Sequence, residues 1–141
     1  MKLIFGCDHA GFELKQHLMA HAQQLGYEVI DMGTFSTDPV DYPDIARQVA
    51  LEILAHPEAM GCLICGTGIG MGMAANRYPG IRAAVVNDVK GAYLGRAHNN
   101  ANILCMGGRL IDPELAQQCL AEFLKTPFEG GRHISRIQKL S

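Results

Sequence analysis

Two places in the 141-residue sequence set side chains able to move protons beside backbone able to hold an anion. In Cys65-Gly66-Thr67-Gly68-Ile69-Gly70 a thiol and a hydroxyl open a glycine-rich turn, and in Asp8-His9 a carboxylate and an imidazole directly follow a short apolar run. A glycine-rich turn that feeds a helix presents unpaired backbone N–H groups and the positive end of the helix dipole. Such a turn holds a phosphate, or the oxyanion that develops when a proton leaves a carbon beside a carbonyl. Local sequence does not choose between the two. Cys65, just before the turn, sits where a helix start favours negative charge on sulfur, which makes it a candidate base or nucleophile. The competing account is a buried strand cysteine behaving as a small hydrophobe, which suits Cys7, Cys62, Cys105 and Cys119.

His98-Asn99 lies between a helical stretch and an apolar run, in a loop where polar residues more often bind than pack. A solvated loop histidine is the alternative, and a solvated position is the expectation for His17, His21 and His56. Arg132 and Arg136 are four apart, so one helical turn places both guanidinium groups on one face, ready for a dianion. Gly130-Gly131 lets that tail fold back; a solvated helix face is the competing account. Cys62-Leu63-Ile64-Cys65 has the spacing of a redox or zinc motif, but residues three apart on a strand face opposite sides of a sheet. A dinucleotide fingerprint counted from Gly66 and Gly68 needs a small residue where Met71 stands, and a frame starting at Gly70 would lie inside the helix. No Gly-Lys-Ser/Thr follows the turn, so it is not a P-loop. A nucleotide-binding module stays open only because many functions share one architecture.

These residues need a scaffold, and the hydrophobic pattern supplies it. Strands are expected at 2–7, 27–32, 61–65, 82–86 and 102–106, alternating with helices. Phe12, Leu14, Leu18, Met19, Ala22 and Leu25 form one apolar helical stripe, and Ile45, Val49, Ile53 and Leu54 another, stopped near Pro57. Residues 33–43 read as a loop. A short helix follows the glycine turn, another runs over 89–97, and Asp112-Pro113 caps one reaching Lys125. The fold class expected is α/β, a single Rossmann-like, doubly wound, five-stranded parallel sheet with flanking helices, built as one domain over 1–141. Residues 126–141 form a tail or helix contributing to phosphate binding. Ligands in such sheets bind beyond the carboxyl ends of the strands, where these polar residues cluster.

With 48% hydrophobic residues and a formal net charge of −2, the chain has no broad basic field for nucleic acid, so a small ligand is the expected partner. No apolar run has the length of a membrane span, the first apolar run breaks at Asp8-His9 too early for a secretory leader, and the expected location is cytoplasmic. Five cysteines outside any disulfide-type framework are expected reduced.

Taken together, Gly6-Cys7-Asp8-His9-Ala10-Gly11, Asp41-Tyr42-Pro43, the Cys65 to Gly70 turn, His98-Asn99 and Glu129-Gly130-Gly131-Arg132-His133 resemble the type B ribose-5-phosphate isomerases, in the family that includes the galactose-6-phosphate isomerase subunits. The resemblance runs over nearly the whole chain, in order and at family spacing. It implies an aldose-ketose isomerase working through an enediolate, with no metal and no cofactor. Cys65 is then the proton-transferring base with Thr67 beside it, and His98 assists opening of the sugar ring. Implied substrate contacts are Asp8, His9, Gly66, Thr67, Gly68, Ile69, Gly70, Asn99, Arg109, Arg132 and Arg136, with Tyr42 a pocket neighbour. It further implies a homodimer, or a dimer of dimers, whose sites are shared, with His98, Asn99 and Arg109 coming from the neighbour. D-ribose 5-phosphate is the expected substrate; allose 6-phosphate, galactose 6-phosphate and four-carbon sugar phosphates are the alternatives.

Overall fold

A computed structural model describes residues 1–140. Five strands alternate with helices: β1 (Lys2–Cys7), α1 (Phe12–Gln24), β2 (Glu28–Asp31), α2 (Tyr42–Ala55), β3 (Met60–Cys65), α3 (Ile69–Ala75), β4 (Ala83–Val85), α4 (Val89–Ala97), β5 (Ile103–Gly107), α5 (Pro113–Lys125) and α6 (Ile134–Gln138). They form one sheet in the order β2-β1-β3-β5-β4, every neighbouring pair parallel. The expected doubly wound parallel sheet is therefore what the chain forms.

β1, β3 and β5 lie at the centre and are covered on both faces, so they read as nearly unbroken apolar runs. One face packs Leu3, Phe5, Cys62, Ile64 and Leu104 against Leu14 and Leu18 of α1, Ala92 of α4 and Leu120 and Phe123 of α5. The other packs Ile4, Leu63 and Ile103 against Val49 and Ile53 of α2 and Met71 and Ala75 of α3. β2 and β4 are shorter than expected, because an edge strand has a ladder on one side only and its pairing stops early. α2 starts inside the expected 33–43 loop, with Pro43 in its first turn, where a fixed φ and a missing N–H do no harm. The tail beyond 126 contains a 3-10 turn at Gly131–His133 that runs into α6.

From β1 the chain moves to β2 at one edge, whereas from β3 it moves through α3 to β4 at the other. The order reverses between β1 and β3, and the crevice at their carboxyl ends is the place where a doubly wound sheet receives a ligand. Lys15 of α1 is fully buried. Its buried ammonium contacts Asp31 at 2.6 Å and the Thr34 carbonyl at 2.5 Å, between the Phe12 and Phe35 rings. That ties α1 to the loop after β2.

The turn after β3 needs glycine. Gly68 has φ of 79°, and a Cβ there would stand 2.8 Å from the Met106 carbonyl carbon. Both the left-handed backbone and the contact oppose any side chain. Gly68→Ala should lower unfolding free energy by about 2 to 4 kcal/mol in urea titrations; a loss under about 1 kcal/mol would show that the turn can move away from β5.

Candidate active site

β3 delivers Cys65 to the floor of the crevice, 5% exposed, with its Sγ accepting a hydrogen bond from the Gly68 N–H at 3.1 Å. Negative charge on the sulfur strengthens such a bond. The Ile69 N–H is taken by Thr67 Oγ1 at 3.2 Å, while those of Thr67 and Gly70 have no acceptor among the described residues and remain for a ligand. Asp8, Tyr42, Cys65, Thr67 and Gly70 line one open cavity of about 420 Å³. Tyr42, at the start of α2, lies so close that a Cβ on Gly70 would meet its ring at 2.6 Å. The absence of a side chain at Gly70 is what lets the phenol reach the turn.

Asp8 is buried and uses Oδ1 to accept from the Ala10 and Gly11 N–H groups at 3.0 and 3.2 Å, which caps the short turn leading into α1. The next residue is held in one tautomer. His9 Nδ1 accepts from the Val40 N–H at 3.3 Å, which places the ring proton on Nε2 as a donor. The other four cysteines stand apart chemically. Burial pushes the Cys7 and Cys119 thiols up to about 11, and raises those of Cys62 and Cys105 as well. Cys62 and Cys65 pack into opposite cores, as strand alternation requires, so the motif-like spacing joins no site.

His98 and Asn99 lie elsewhere. With Arg132 and Arg136 they line a second cavity of about 370 Å³ that shares no residue with the first. The expected convergence of the two arginines is therefore present, with His98 beside them. Arg109 departs from the grouping that the resemblance implied. It lies in the same chain as the Cys65 turn and against it, donating its N–H to the Gly66 carbonyl at 3.0 Å, with its guanidinium 3.5 Å from where a Gly66 Cβ would be. The cause is topological: β5 neighbours β3, so the residue two past β5 lands on the turn that follows β3. His17 is exposed, and His21 and His56 are partly exposed, on or just beyond helices, with His56 facing Glu52 and Glu58.

Four residues around His98 were given no role in the sequence reading, two of them, Glu129 and His133, named there only as part of a motif. Its ring stacks on His133 at 4.3 Å between centroids, and both imidazoles face Glu129, whose far oxygen accepts from the Tyr93 hydroxyl at 3.4 Å. Glu129 and His133 are four apart, the only sequence signal of their meeting. Arg96, buried in α4, shapes the loop from beneath by donating to the Asn100 side chain at 2.9 Å and to the Ala101 and Thr126 carbonyls at 2.7 and 3.2 Å. An arginine in a helical stripe looks like a solvated residue until the return of the chain at Thr126 is known.

The same arrangement recurs among known proteins. A family model described as Ribose/Galactose Isomerase matches residues 3–140. The chain is 45% identical to ribose-5-phosphate isomerase B of Escherichia coli strain K12, over 99% of this chain and 94% of that one. It superposes on a crystal structure of a ribose 5-phosphate isomerase from Thermotoga maritima with a TM-score of 0.97 at 51% identity, covering 99% of this chain and 96% of that chain. The structure of ribose-5-phosphate isomerase B from Mycoplasma genitalium, solved with bound ribulose-5-phosphate, gives a TM-score of 0.95 at 39% identity over 99% of this chain and 93% of that one. Agreement across nearly the full length leaves one conclusion: this chain belongs to the ribose/galactose isomerase family.

Proposed function

We propose that the chain interconverts D-ribose 5-phosphate and D-ribulose 5-phosphate, as a cytoplasmic homodimer or dimer of dimers whose sites each draw on two chains. The observation that carries this reading is the pair of cavities that share no residue. One chain holds a base with an oxyanion turn, and also an imidazole with two guanidinium groups, in separate places. Two-fold pairing would set the first half of one chain against the second half of the other and complete two equivalent sites. The relative crystallised with ribulose-5-phosphate supports the substrate.

In this scheme His98 of the second chain moves the proton between the anomeric hydroxyl and the ring oxygen, opening the furanose. The Cys65 thiolate then takes the C2 proton; the C2–H electron pair forms the C1–C2 double bond, and the carbonyl pair moves onto O1. The Thr67 and Gly70 N–H groups stabilise that oxygen in place of a metal. Once a proton has passed from O2 to O1, with the Thr67 hydroxyl alongside, the electrons return. The Cys65 thiol protonates C1, and the carbonyl appears at C2. Asp8 and Tyr42 orient the sugar hydroxyls with Asn99 of the second chain, while His9 and Arg109 meet the phosphate from one side and Arg132 and Arg136 of the second chain from the other.

Assay against ribose 5-phosphate, allose 6-phosphate, galactose 6-phosphate and a four-carbon aldose phosphate tests the substrate directly, with the highest kcat/KM expected for ribose 5-phosphate. Cys65→Ala should lower kcat about 10³-fold or more while ligand affinity stays within a few-fold. Turnover within tenfold of the parent would place the base elsewhere. Replacing Arg132 or Arg136 by Ala should raise KM about tenfold or more, with lysine restoring only part of it. Unchanged KM and unchanged inhibition by inorganic phosphate would make the tail a solvated face.

A further inference from the structure

Isomerisation as described uses His98 but gives Glu129 and His133 nothing to do, although the three converge tightly. Nε2 of His98 lies 3.6 Å from Glu129 Oε1, and Nε2 of His133 lies 3.5 Å from the same oxygen. Both separations exceed a hydrogen bond, so the carboxylate faces both rings while bonding closely to neither. Two ligands each about 2.0 to 2.2 Å from a metal ion and set at a tetrahedral angle stand about 3.3 to 3.6 Å apart, which is this spacing. One ligand atom from each residue lies within 4.8 Å of the others.

The cluster is also held in place. The Glu129 N–H donates to the Ala97 carbonyl at 3.0 Å, its second oxygen is engaged by Tyr93, and the His133 side chain is 10% exposed against the stacked His98 ring. His98 and Glu129 are 36% and 47% exposed, so an ion can enter from solvent and keep water in its remaining positions. Two imidazoles and one carboxylate suit zinc and its borderline neighbours, whereas magnesium and calcium require oxygen ligands.

We propose that His98, Glu129 and His133 bind a divalent cation of the zinc class, and that the bound ion withdraws His98 from the sugar and stops isomerisation. An imidazole lone pair lies in its ring plane, so the 36% exposed His98 ring must turn out of its stack on the buried His133 to bind; each imidazole then donates its Nε2 lone pair, keeping its proton on Nδ1 and releasing any second proton to solvent. The inhibitory step rests on the ring-opening role of His98; the binding step does not.

The test uses the full-length protein stripped with chelator, titrated with Co²⁺ by visible absorption and with Zn²⁺ by calorimetry. One ion per chain is expected, with Cys65→Ala unchanged and with affinity at least tenfold weaker in His133→Ala and in the isosteric, surface-accessible Glu129→Gln. Isomerisation of ribose 5-phosphate should fall in step with occupancy, recover with EDTA, and resist zinc in Glu129→Gln. Equal affinity in all variants, or cobalt absorption of thiolate type that vanishes in Cys65→Ala, would overturn the site. An ion bound by the three residues with turnover undiminished would overturn the inhibition. A metal-free protein that binds cobalt at the cluster yet turns over no ribose 5-phosphate would refute the isomerase scheme and leave the metal site standing.

Discussion

At the carboxyl end of the sheet the turn after β3 and the end of β5 meet backbone to backbone, and the site exists only because nothing separates them. A Cβ on Gly68 would stand 2.8 Å from the Met106 carbonyl carbon, and one on Gly107 would stand 2.6 Å from that of Thr67. With side chains absent, the Gly108 N–H reaches the Cys65 carbonyl at 2.8 Å and the Arg109 N–H reaches Gly66 at 3.0 Å. The sulfur, the free N–H groups and the Arg109 guanidinium are thereby registered to one another through main-chain contacts. Preorganisation of this kind does not have to be assembled as charge develops.

Strand alternation separates the chemistry of the cysteines. Cys65 closes β3 with its sulfur toward the crevice, whereas Cys62 lies three residues earlier and packs into the opposite core. Burial holds the other four thiols in their neutral form through ordinary pH, as inert as small apolar side chains. Two cysteines three apart on one strand meet different surroundings because the pleat points them to opposite faces of the sheet.

The central strands, the α/β alternation and the glycine turn were legible in the sequence because each is written in local pattern: apolar runs for β1, β3 and β5, spaced stripes for α1 and α2, a glycine cluster after Cys65. Asp8, His9 and Cys65 could be placed at strand ends for the same reason. Contacts between distant segments were not legible. The approach of Glu129 to His98 depends on how the chain returns after α5, and the position of Arg109 depends on β5 lying next to β3, a matter of strand order. The shortened edges of β2 and β4 likewise follow from pairing, which no single segment encodes.

Two half-sites on one chain pose a geometric problem, and in the proposed dimer each copy would lend its imidazole loop to the other's thiol. The direct measurement is activity after Cys65→Ala and His98→Ala proteins are unfolded together and refolded, with dimers verified by light scattering. Random reassortment makes about half of the dimers mixed, and each mixed dimer carries one intact site of two, so recovery should approach about a quarter of wild-type activity. Activity no greater than the sum of the two variants refolded separately, despite demonstrated subunit exchange, would contradict a site shared between chains.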